Sequence, residues 1–240
     1  MKLRTVLPLL LVFVVTVSAS AQFDKLLGKA KKVLDGGGKL SNEEIVQGLK
    51  EALTQGISKG SDVVSQVDGY NKNLEIRIPF PADAKRVEDK LRQLGMGNDV
   101  DKFITTLNRG AEDAAKEAKP IFINAIKQMS FDDALSILKG NPDAATQFLK
   151  RTTSTDLKAK FSPVVQKSLD KVEATKYYGG LVGTYNKIPF VDKANPDLNA
   201  YATEKAIEGL FTMIAKEEKN IRDNPGARAT DILKKVFGQK

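Results

Sequence analysis

A chain of 240 residues that contains no histidine, no cysteine and no tryptophan cannot run imidazole acid–base chemistry, a serine–histidine or cysteine nucleophile, or a histidine/cysteine zinc site, and it can form no disulfide. Its formal charge of +8 comes from 38 basic and 30 acidic residues, and most of the basic ones are lysine. A surface of that sign draws anionic partners at long range.

Residues 1–21 read as an export leader: Lys2 and Arg4 are followed by the apolar run from Val6 to Val17 and by Ala19-Ser20-Ala21, a small-residue cleavage site. That run is shorter than the about 20 residues a membrane-spanning helix needs, and no later stretch comes close. The expected mature chain begins at Gln22, long enough for a core that buries roughly 70% of the unfolded surface. An exported, lysine-rich protein meets anionic lipid or acidic envelope polymers and not nucleic acid.

Residues 22–35 place Phe23, Leu26, Leu27, Ala30, Val33 and Leu34 at helical spacing, with Lys25, Lys29, Lys31 and Lys32 around them. This basic amphipathic helix suits an anionic membrane surface, with Phe23, Lys25, Leu26, Leu27, Lys29, Lys31 and Lys32 as the candidate contacts. Docking on its own domain is the alternative. Gly36-Gly37-Gly38 lies in a flexible linker, 36–40.

From residue 41 to 240 the pattern is helical, and the expectation is an all-α, mostly antiparallel, bundle-like single domain. Ser41 and Glu44 form a capping-box pair opening a helix with Ile45, Leu49, Leu53, Ile57, Val63, Val64 and Val67 as one buried stripe. Gly48, Gly56 and Gly60 within it imply close helix contacts or a bend near Gly60. A short extended segment is expected at 74–80, where Leu74, Ile76 and Ile78 alternate with Glu75 and Arg77. Pro81 and Asp83 start a helix through Leu94 that Gly95 stops, and Asn98 or Asp99 caps the next, through Ala115. Pro120 kinks that helix or begins the following one, and Ser130 with Asp133 caps another that ends at Gly140. Asn141-Pro142-Asp143 and Asn195-Pro196-Asp197 look like equivalent helix starts. Between them one or two helices are expected, with Pro163 early and Gly179-Gly180 as a break, and the helix after Asp197 runs to about Arg222. A last short helix covers 231–238.

Two elements repeat. Tyr-Asn-Lys precedes Ile-Pro-Phe at Tyr70–Phe80 and again at Tyr185–Phe190, and both read as corner turns whose Ile78, Phe80, Ile188 and Phe190 dip into the core. Four of the five tyrosines, Tyr70, Tyr177, Tyr178 and Tyr185, stand beside them and are the candidate ligand-binding residues, offering flat apolar area with a polar tip; burial between helices is the competing use. Ser136-x-x-Lys139 and Ser168-x-x-Lys171 lack the companion motifs of a serine–lysine enzyme. Asn98-Asp99-Val100-Asp101 lacks the glycine and glutamate of a calcium loop. Glu204 and Glu208, one helical turn apart, read as a solvated face. No catalytic residue, cofactor or metal site is assigned.

"IRIPFP", "FDDALSILKGNPDAATQFLKRTT" and "GLFTMIAKEEKNIRDNPGARATDILKKVFG" resemble the domain of unknown function 4197 family of exported bacterial proteins. The resemblance implies a helical envelope protein of Gram-negative bacteria and carries no catalytic residues with it. The expected function is a non-enzymatic binding or scaffold protein of the periplasm or cell envelope, for a lipid-like or amphipathic small ligand. The alternative is a carboxylate-dependent enzyme acting on an envelope polymer.

Overall fold

The structure is a computed structural model that describes residues 41–171, 173–190, 192–224 and 234, without the side chains of Lys176 and Tyr177. The leader, the basic helix 22–35, the linker 36–40 and, apart from Lys234, the closing helix 231–238 lie outside the described residues.

Eight α-helices and no strand make up the described part: α1 (Asn42–Val64), α2 (Lys85–Gln93), α3 (Gly97–Ala115), α4 (Ala118–Gln128), α5 (Phe131–Lys139), α6 (Ala144–Asp170), α7 (Ala174–Tyr185) and α8 (Leu198–Asp223). The fold is all-α, and no helix among the described residues is long and apolar enough to cross a membrane.

Pairwise contacts fix the directions. Gly56 lies against Ile221 and Gly60 against Met213 and Ile214, so α1 and α8 run antiparallel. Lys50 reaches the Lys127 carbonyl while Asp62 meets Lys119, which sets α1 antiparallel to α4. Thr146 bonds to Glu218 and Ser162 to Asn199, which does the same for α6 and α8. Helix α8 packs on α1, α3, α6 and α7, and its small residues Ala202, Ala206 and Gly209 are buried, so neighbouring backbones approach closely. The core is built from Leu49, Leu107, Phe122, Leu149, Phe161 and Leu210, all buried, each worth about 1.5–3 kcal/mol of hydrophobic transfer.

Several local expectations hold. Ser130 and Asp133 exchange the two bonds of a capping box, Asp197 caps α8 through the Ala200 N–H at 2.9 Å, and Gly95 leaves α2 at φ +83°. The α1 glycines form a contact seam: a Cβ on Gly56 would stand 2.8 Å from Ile221 Cδ1.

Others are corrected. Helix α1 continues through Gly60 and ends at Val64, so Val63 and Val67 face solvent. Only the front of the 74–80 segment departs from the expected alternation, which holds from Ile76 to Phe80. The Asn73 carbonyl accepts from Ile76 N and Arg77 N at 3.2 and 2.8 Å, and this turn swings Leu74 outward while Ile76 and Ile78 stay buried. Helix α3 starts at Gly97, with Met96 at its cap position and no side-chain cap. Pro120 sits in the first turn of α4, where a missing N–H costs nothing.

Helix α6 runs unbroken past Pro163. There Asn199 of α8 donates to the Ser162 carbonyl at 3.1 Å and to Gln166 Oε1 at 2.6 Å, and accepts from Ser162 Oγ at 3.0 Å. Gly179 and Gly180 stand inside α7 and do not break it. The two Ile-Pro-Phe corners are not equivalent: Ile78 and Phe80 are 1% and 6% exposed, whereas Ile188 is 49% exposed and Phe190 fully so. The second corner points away from the core.

Glycines therefore serve two purposes, which thermal and urea unfolding will separate. Gly209→Ala would place a Cβ 2.7 Å from Tyr70 Cε1 and is expected to cost about 1–3 kcal/mol. A Cβ on Gly180 meets nothing, so Gly180→Ala is expected to stabilise by about 0.4–1 kcal/mol.

Candidate functional site

The first corner is held by one face of α3. Asn108, fully buried, accepts from Ile78 N at 2.8 Å and donates to the Ile78 carbonyl at 2.8 Å. One turn on, Glu112 Oε1 accepts from the Tyr70 and Asn71 backbone N–H groups, both at 3.1 Å. Arg109 bridges outward, donating to Glu112 Oε2 and Asp68 Oδ1, both at 2.6 Å. Side chains of α3 thus supply the partners that a turn without regular structure leaves missing.

Tyr70 completes this arrangement. Its ring rests on Gly209 and its hydroxyl donates to the Ala206 carbonyl at 2.5 Å. Burial, with the Glu112 charge adding to it, pushes the phenol well above the ordinary tyrosine range. The ring has no free surface.

The other candidate tyrosines sit on α7. Tyr178 is buried, stacked on Phe103 at 5.9 Å and edge-on to Phe80 at 6.0 Å, with its hydroxyl donating to the Asn195 carbonyl at 3.2 Å. Burial raises it strongly too. Tyr185 is half-buried and packs on the core; the Tyr177 side chain lies outside the description. Tyr201, which the motif reading passed over, donates to the Pro79 carbonyl at 3.1 Å, and burial, then the Asp83 and Glu208 charges, push its phenol up to about 12. These rings brace the first corner; Tyr70 and Tyr178 spend both ring and hydroxyl on the chain itself.

The serine–lysine pairs fare similarly. Ser168 is buried against Gly110 in the α3–α6 seam, and Ser136 lies on the exposed side of α5.

A site open to a ligand lies instead between α6 and α8. This groove of about 400 Å³ is lined by Lys150, Ser154 and Lys158 from α6 and by Ala200, Thr203, Glu204, Ile207, Glu208 and Phe211 from α8. Thr203 and Phe211 are buried in its floor. The Lys150 ammonium stands 5.7 Å over the Phe211 ring, a cation–π contact that leaves the cation facing the opening. Glu208 is paired with Lys205 of its own helix at 2.6 Å. The groove therefore offers an apolar floor, a basic wall and an acidic wall. A larger hollow along Thr54, Ser58, Asp62 and Gln66 is a shelf on α1 alone, open to solvent.

A family model described as a protein of unknown function, DUF4197, matches residues 39–238. The chain belongs to the DUF4197 family. No curated protein and no solved structure shows a significant match to it. The DUF4197 match spans α1 to α8, and so takes in both the braced corner and the groove.

Lysines 150 and 158 and Glu204 and Glu208 each repeat at spacings of four or eight, which marks a helix face. Nothing in the sequence says that the two faces oppose one another, and the lysine wall went unread for that reason.

Asp68 gives this region a pH signature. Hydrogen bonds from Lys72 and then Arg109 lower its carboxyl from 3.8 to about 2. A depressed folded value means the stabilisation is present above pH 4 and is lost as pH falls towards 2. Asp68 has φ +70°, which asparagine tolerates, so Asp68→Asn isolates the charge. Its urea midpoint is expected to lie below the parent's at neutral pH, with the gap closing between about pH 4 and 2; parallel curves would refute the assignment.

Proposed function

We propose that this protein is a non-enzymatic binding or scaffold protein of the cell envelope that holds a lipid-like or amphipathic ligand in the α6/α8 groove. The observation that carries the reading is the groove's make-up: the half-buried Ile207 beside the buried Phe211 and Thr203, next to two lysines that stand one wall apart from the glutamates. An apolar chain laid over Ile207 and Phe211 would bring an anionic head to Lys150 and Lys158. Pockets of this kind, mostly apolar with a few converging polar groups, are the usual form of small-ligand sites. The leader-like sequence of residues 1–21 and the basic amphipathic pattern of residues 22–35 support the envelope location.

The carboxylates argue the same way. Glu112 and Glu218 are buried, yet both are filled by backbone N–H groups and an arginine. The rival enzyme reading rests on Glu204 and Glu208, which share the groove. Both are exposed, the setting of a solvated charge and not of a general acid held in a dry site.

Native mass spectrometry on protein purified from its own periplasm tests the proposal. The expected result is a bound acidic amphipath, released from the Lys150→Ala/Lys158→Ala variant with affinity reduced about tenfold or more. An empty parent protein, or a ligand retained equally by the variant, would overturn it.

A further inference from the structure

The second Ile-Pro-Phe corner is built to project. Asn186, just after α7, donates from Nδ2 to the Ala194 carbonyl at 2.8 Å and accepts the Ala194 N–H at Oδ1 at 2.9 Å. Lys193 Nζ donates to the Asn186 carbonyl as well. These bonds pinch the two feet of the loop together. Its base is tied down further: Ala194 is buried, Asn195 N donates to Asp83 at 2.6 Å and the Asn195 carbonyl accepts from Tyr178. What rises from this anchored base is Lys187-Ile188-Pro189-Phe190. Ile188 is half exposed and Phe190 wholly so, with Phe190 at φ +62°.

Folding accounts for neither feature. A non-glycine residue in the left-handed region is strained, and a phenylalanine in water forgoes its burial. The first corner shows that the same Ile-Pro-Phe can be buried in this fold. Leu181 on α7 leaves a further apolar side chain exposed. Lys187 and Lys193 flank the apolar tip and outnumber its one acid, Asp192; all three are exposed. An aromatic tip between lysine shoulders matches a bilayer interface, where rings enter the headgroup layer and lysines meet anionic phosphates.

We infer that the Lys187–Phe190 tip is a membrane-contacting element that inserts Ile188 and Phe190 into the surface of an anionic phospholipid bilayer. It rests on the envelope reading above for its setting, and its partner is the lipid surface, separate from the groove ligand.

The absence of tryptophan makes the test direct. Phe190→Trp gives the full chain a single reporter at the tip, and Leu74→Trp places one at an equally exposed apolar position of the first corner. With phosphatidylglycerol-containing vesicles, the reporter at 190 is expected to shift to the blue and be quenched by brominated lipid, while the one at 74 stays unshifted. Phe190→Asp is expected to weaken partitioning roughly tenfold or more, and Lys187→Ala roughly fivefold. An unshifted reporter at 190, an equal shift at both positions, or unchanged partitioning of Phe190→Asp would each overturn the inference. Should residues 22–35 alone carry the protein to the vesicle, the reporter at 190 stays in water, the first of those refutations. Cell fractionation reads the location separately: protein found in the cytoplasm would count against the envelope reading and leave the vesicle result standing.

Discussion

The start of α6 is buried, and a helix start leaves backbone N–H groups without partners. Asp143, at the cap position, makes no cap bond. The acceptor comes from another helix: Glu218 of α8 takes Ala145 N at 2.9 Å, Thr146 N at 2.8 Å and Thr146 Oγ1 at 2.7 Å. Arg222 holds the same carboxylate and donates to the Ile137 carbonyl near the end of α5 at 2.9 Å. A buried carboxylate with fewer partners would be costly, by several kcal/mol, so this bond set couples α5, α6 and α8. This one bond set fixes the register of the two longest helices. With Thr146 against Glu218 at one end and Ser162 against Asn199 at the other, an antiparallel pair must bring Ser154 and Lys158 opposite Glu208 and Glu204. The groove is a consequence of that lock.

A second set of the same kind holds the first corner. Asn108 and Glu112 satisfy the backbone of Ile78, Tyr70 and Asn71, and Gly209 gives the Tyr70 ring its socket. Six residues, Tyr-Asn-Lys and Ile-Pro-Phe, therefore do not carry their own conformation. At the first corner α3 and α8 draw them in. At the second, Asn186 turns instead to Ala194, eight residues further along the chain, and the apolar pair is left outside.

That contrast marks the limit of what was legible. Helix existence, the Ser130 and Asp197 caps and the stop at Gly95 all follow from local chemistry, and the glycines of α1 signal a close contact without naming Ile221 as its partner. The Asn-Pro-Asp repeat misled because a cap can be supplied across space: Asp197 bonds Ala200, while Asp143 yields to Glu218. Pro163 was expected early in a helix and stands instead in the later half of one of 27 residues, where a single lost ladder bond is outweighed by packing along α6. The groove was half legible, as the Glu204 and Glu208 face alone, since opposition to Lys150 and Lys158 is a property of register. The tyrosines are grouped near the corners in the sequence, but the burial of Tyr70 and Tyr178 depends on Gly209, Phe80 and Phe103, which no spacing links to them.

Sequences usually satisfy local rules everywhere except where function intervenes. Here the breaches are unevenly spread. Gly56, Gly60, Gly110 and Gly209 each face a neighbour that a side chain would crowd or touch, so packing explains them. Gly179, Gly180 and Gly183 face nothing, although each weakens a short helix by about 1 kcal/mol relative to alanine. Helix α7 is entered through Glu173 at φ +50°, and Phe190 follows it at φ +62°. Leu181, Ile188 and Phe190 then leave apolar surface in water. The Ala174, Tyr178 and Val182 stripe, with the half-buried Tyr185, ties α7 inward. A helix kept weak, ending in a tip kept apolar, is held in place by a loop base that is tightly bonded. Packing accounts for the crowded glycines of the other helices, whereas on the outer surface of residues 179–190 it accounts for neither the open glycines nor the apolar tip.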